Sequence, residues 1–172
     1  MAKQEEALIN RVAQSSLVTI KLEKFYPEQE VIGFDLKDYL FKGLILKEKD
    51  FRQALKEHDW SEYRSKYLAV FCSTDAIIPV WAYMLVGVYA APVCKDIYFG
   101  DTEVFLQKFF QKAIEGLDIS TYTGQKVIIK GCHEKPVPVS AYLDVTRKLL
   151  PVASSIMYGE ACSTVPIFKK SR

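Results

Sequence analysis

A chain of 172 residues and 19.6 kDa with 49% apolar residues has enough material for a full hydrophobic core and is expected to form one globular domain over 1–172, its ends 1–14 and 169–172 mobile. A formal net charge of +2 and a pI near 8.2 exclude the concentrated basic face of a nucleic-acid binder, since the only basic cluster is the terminal Lys169, Lys170 and Arg172. The charged start leads into no apolar core of signal-peptide length, so a cytoplasmic protein is expected, with its four cysteines free, buried or metal-bound rather than paired as disulfides.

In chain order, Ala7, Leu8, Val12 and Ala13 give a loose helical stripe near the start. Residues 17–23 then alternate, with Val18, Ile20 and Leu22 on one side and Thr19, Lys21 and Glu23 on the other, the pattern of a half-buried strand. Asp35 caps a short helix running to Leu40, Gly43 takes a left-handed position, and Leu44, Ile45 and Leu46 are read as a strand. Asp50 and Gln53 form a capping box for a helix reaching Glu57, after which Trp60 and Tyr63 cover the core edge. His58 falls at that helix end, where a cationic side chain suits the dipole.

The run 67–72 is continuously apolar, as a central strand buried on both faces would be. Residues 76–94 carry no charge and are long enough to span a bilayer, but Pro79, Gly87 and Pro92 and the preceding strand favour a buried helix with Pro79 in its first turn and Trp81 packed inside. Ile97, Tyr98 and Phe99 make a short strand, Asp101 caps a clear helix, Val127 to Ile129 form another strand, and a helix follows Ser140. Strands alternating with helices predict an α/β (or α+β) fold, a mixed and partly parallel sheet of about five strands covered by helices.

Three stretches stand out together: Cys72-Ser73-Thr74-Asp75-Ala76-Ile77-Ile78-Pro79 with Trp81-Ala82-Tyr83-Met84, then Gly131-Cys132, then residues 157–166 from Met157-Tyr158-Gly159-Glu160 through Ala161-Cys162-Ser163-Thr164 to Val165-Pro166. From about Phe51 onward the chain resembles a Bacteroidota family known only as a domain of unknown function. The resemblance implies a loose association with neighbourhoods encoding sulfur-mobilisation and iron-sulfur cluster assembly factors. It implies partners among proteins of iron-sulfur cluster assembly; separately, charge and composition lead to the expectation of no nucleic acid and no membrane, and a homodimer is a further expected partner state.

Read from the residues, Cys132, His133, Glu160 and Cys162 bring sulfur, nitrogen and oxygen donors into one region, and Cys72 ends a strand as Cys132 does. Such donors suit zinc, iron or an iron-sulfur cluster. If both strands run parallel in one sheet, the thiols of Cys72 and Cys132 share its carboxyl edge, with residues 160–164 folded over them and Asp75 in support. No Cys-x-x-Cys pair occurs, and the competing reading makes these cysteines small buried packing residues. Cys94 lies beside Lys95, a cation able to lower a thiol pKa. A hydrolase built from Ser73 or Ser163 with His133 and Asp75 is the enzymatic alternative, although the nucleophile elbow, the dinucleotide glycine motif and the phosphate loop are all missing. A third class is an interaction module without chemistry, using Trp60, Trp81, Tyr83 and Tyr89 as a surface patch.

Overall fold

The structure, a computed structural model, describes residues 17–132 and 134–171. Its α/β class is as expected, but the strands among the described residues number seven and form two sheets rather than one of about five. The described residues divide into two compact units, one comprising those up to Tyr26 together with those from Gln111 onward, the other Pro27–Phe110.

In the Pro27–Phe110 unit, β2 (Val31–Asp35), β3 (Tyr67–Phe71) and β4 (Asp96–Phe99) form a wholly parallel sheet in the order β2-β3-β4. Helix α1 (Glu48–Glu57) links the first pair and α2 (Val80–Ala90) the second. Because successive strand residues face opposite sides, the apolar run of β3 is buried on both. Leu68 and Val70 pack with Phe34, with Phe51 and Leu55 of α1, and with Ala82, Val86 and Ala90 of α2. Tyr67 and Ala69 pack on the other side against Phe105 of α3 (Thr102–Glu115), with Leu106 and Phe109 alongside. The Asp101 carboxylate caps α3 by accepting from the Val104 amide at 2.9 Å.

Several local expectations change. Leu44 and Ile45 are exposed and lie in a tight turn closed by the bridge between Phe41 and Ile45, so they are no strand. Helix α1 starts two residues before Asp50, which sits inside its first turn, and Gln53 bonds Glu57 instead of completing a capping box. Gly43 does adopt a left-handed φ of 71°, Asp35 does cap a 3-10 turn, and His58 does close α1.

In the other unit, β1 (Leu17–Lys21), β5 (Lys126–Lys130) and β6 (Ser155–Glu160) run parallel, and β7 (Ser163–Lys169) returns antiparallel at the edge. Pro166 is admissible there, because an edge strand tolerates a residue without an amide donor. Helix α4 (Val139–Leu149) crosses over from β5 to β6, burying Ala141, Val145 and Leu149 while Val127, Ile129 and Ile156 are buried in the strands beneath. The loose helical stripe near the start, including Ala7 and Val12, lies outside the described residues, as does His133.

Candidate functional site

The proposed shared edge of Cys72 and Cys132 does not form as one sheet edge. Cys72 follows β3 in the three-stranded sheet, whereas Cys132 follows β5 in the four-stranded sheet, so the two strands have no common ladder. All four cysteines are free, and among the described residues no group of three or more histidine, cysteine, aspartate or glutamate side chains is placed to hold a metal ion. The structure therefore lends no support to a cysteine cluster. His133 is outside the described residues, and Ser163 and Asp75 of the imagined hydrolase fall in different units.

At the carboxyl ends of β1, β5 and β6, three of the expected donors do lie in one unit: Cys132, Glu160 and the exposed Cys162 of the β6–β7 turn. Glu160 is engaged by a residue the sequence did not flag. Lys130, the last residue of β5, donates through Nζ to both Glu160 carboxylate oxygens at 2.8 Å. That hydrogen bond, with the carboxylates of Glu160 and Glu23 beside it, raises the Lys130 pKa against the opposing effect of burial. Glu23 keeps one carboxylate oxygen buried without a hydrogen-bond partner among the described residues. Gly131 leaves room for the Tyr142 hydroxyl, into which a Cβ would collide. Tyr142 meets Tyr158 edge to face at 5.8 Å, and both rings line a pocket of about 410 Å³ with Ile129, Val139 and Ile167. The chemistry offered here is a closed ion pair next to an open apolar pocket, not an exposed nucleophile with a base.

In the Pro27–Phe110 unit the carboxyl ends of β2 and β3 are tied together by Asp35. Its carboxylate accepts from the Lys37 amide at 3.0 Å and from the Ser73 amide at 3.0 Å, anchoring the 72–79 loop to the sheet. Burial pushes the Asp35 pKa up, but the hydrogen bonds from Ser73 and Lys37 outweigh it and the net shift is downward. Cys72 Sγ lies 3.3 Å from Thr74 Oγ1, and Asp75 is exposed in the same loop. Cys94 is half-buried, and burial raises its pKa, opposite to the lowering that Lys95 suggested; Lys95 instead bonds Gln29 and stands 5.2 Å from the Tyr67 ring centre.

Replacing Asp35 with alanine is expected to lower unfolding free energy by about 1–2 kcal/mol, the usual worth of a side-chain cap. A carboxylate whose folded pKa is depressed contributes fully above its unfolded value, near 4. That contribution is lost as the pH falls through the lower folded value, so the wild type should lose stability on acidification below about pH 4 more steeply than Asp35→Ala. Urea midpoints at pH 7 and pH 3 check both points.

The loop so anchored leads through Pro79, the N-cap, into α2, whose two faces are both apolar. Ala82, Val86 and Ala90 pack inward, while Val80, Met84 and Val88 are 75%, 67% and 68% exposed, with Ile77 at 93% ahead of them. Phe99 is 63% exposed and its ring meets Tyr83 of α2 at 5.2 Å, extending the same face. Trp60, Trp81, Tyr83 and Tyr89, the aromatic patch suggested by composition, are instead partly buried against the core; Trp60 stacks on Phe34 and Tyr89. Helix α4 also exposes Val139 and Leu143, but it carries Asp144, Arg147 and Lys148, whereas residues 76–94 carry no charge at all. None of the described helices is long and apolar enough to cross a membrane.

A family model described as a protein of unknown function (DUF2480) matches residues 6–170. No curated protein and no solved structure matches the chain.

Proposed function

We propose, for a chain that belongs to the DUF2480 family of proteins of unknown function, the role of an interaction module that docks a protein partner on the outer face of α2. The observation that carries this reading is the unpartnered row Val80, Met84 and Val88, extended by Ile77 and Phe99. A helix apolar on every side is ordinarily buried on every side, and soluble monomers rarely keep a contiguous apolar patch of several hundred Å² open to water unless something covers it. Covering this face needs neither a nucleophile nor a metal. The role is assigned to the cytoplasm, a compartment in which four free thiols persist.

The reading of metal or sulfur handling beside iron-sulfur cluster assembly rests on those thiols and on the family resemblance. Its distinguishing mark would be iron or zinc in anaerobically purified protein that is lost in Cys132→Ser and Cys162→Ser variants.

Docking on α2 is tested by placing a photo-crosslinking residue at Val88, or at the exposed Lys56 of α1 as control, in cells that make the protein. Adducts are expected from position 88, absent from position 56, and abolished when Met84→Lys is added. Equal adducts at both positions, or none at 88, would remove the docking role.

A further inference from the structure

We infer that the partner on α2 is a second copy of this chain, paired antiparallel about a twofold axis passing near Met84. This rests on the docking role proposed above and names its occupant. A twofold interface sets one patch against itself, so every charge on the patch would meet its like. Residues 76–94 hold no charged side chain, which removes that penalty along the helix itself, and the Lys108 cation beside Phe99 stands at the margin.

The apolar row has the same symmetry. Val80 and Val88 stand four residues to either side of Met84, so crossing two copies at Met84 sets Val80 of one against Val88 of the other at both ends. Residues spaced by four form the ridge that packs against its like in the commonest class of helix pairing. Ile77 and Phe99 lie at the margins of this contact.

The row is also open. Ile77, Val80, Met84, Val88 and Phe99 are each more than 60% exposed, so each has most of its surface to give to a partner. A stable interface of ordinary size buries about 800 Å² per partner, of which this row forms the apolar centre. The composition matches as well, since the centre of such interfaces is depleted in charge and enriched in methionine and aromatic residues.

The test is sedimentation equilibrium of the full chain across the micromolar range, with Met84→Lys, Val80→Glu and the control Leu44→Lys, whose side chain is exposed outside the patch. The wild type and Leu44→Lys are expected at twice the 19.6 kDa chain mass, and each patch variant at the single mass with its dissociation constant raised at least a hundredfold. Unchanged circular dichroism and melting of the variants, all at exposed positions, would show that the fold is intact; should one fail to fold, the other carries the test. A dimeric Met84→Lys and Val80→Glu would place the contact elsewhere and overturn the inference. A monomeric wild type that still gives crosslinks at position 88 to a different chain would overturn the self-pairing and leave the docking role standing. A monomeric wild type with no crosslink there would overturn both.

Discussion

Phe51→Ala is expected to destabilise the Pro27–Phe110 unit by about 3–5 kcal/mol, the range for truncating a buried phenylalanine whose site cannot fully collapse. Phe51 is 1% exposed on the inner face of α1, where its ring meets Tyr39 edge to face at 5.3 Å and Trp81 of α2 at 6.2 Å. Removing it opens a cavity between the helix that carries the proposed docking row and the helix behind it. Since an ordinary domain is stable by only 5–15 kcal/mol, the variant should melt at least 10 °C lower, given about 4–8 °C for each kcal/mol in a unit of this size. Met84→Lys, on the opposite face of α2, should leave monomer stability within about 0.5 kcal/mol, as solvent-exposed substitutions do. Chemical denaturation of both variants below their association range separates a loss of fold from a loss of contact. A Phe51→Ala protein as stable as the wild type would mean that α1 is not packed as described.

What the sequence disclosed depends on how local the cause was. The runs that became β3, β4 and β5 each hold three or more consecutive apolar residues, so their strand character shows without a partner. Strands β2, β6 and β7 were missed for a shared reason. Val31-Ile32-Gly33-Phe34-Asp35 is interrupted by glycine, β6 contains Gly159, and β7 contains Pro166, so each is a strand because of what it pairs with rather than what it is made of. The same limit explains the split of the expected sheet. Cys72 and Cys132 each follow an apolar strand and precede a connection to a helix, and nothing local distinguishes one sheet from two; partner choice is decided by contacts far apart in sequence. The Lys130–Glu160 pair, thirty residues apart, is invisible for that reason too. The uncharged run of residues 76–94 could be read directly and was correctly assigned to a helix, but Ala82, Val86 and Ala90 take the inner face and Val80, Met84 and Val88 stay outside. Burial on one face was legible; the open face needed the packing.

Gly159→Ala is expected to cost the four-stranded sheet about 2–3 kcal/mol, the upper part of the range for one residue forced into a sparsely allowed backbone state. Gly159 has a φ of +116°, outside the left-handed well that other residues visit, and a Cβ there would stand 2.7 Å from the Ser163 carbonyl oxygen across the hairpin. That neighbour is backbone in the pairing of β6 with β7, so it cannot swing aside as a side-chain tip could. Relief must come from shifting the ladder between Gly159 and Thr164, which also displaces Glu160 from Lys130 and moves Cys162. Gly43→Ala provides the calibration: its φ is +71° and a Cβ meets nothing within 4 Å, so it carries only the left-handed backbone penalty of about 1 kcal/mol. Urea denaturation of the two variants should therefore rank Gly159→Ala well below Gly43→Ala, and amide exchange in Gly159→Ala should quicken first along β7, where one side of the strand already lacks a partner. Equal losses in the two variants would show that the hairpin yields freely and that Glu160 and Cys162 are not held by it.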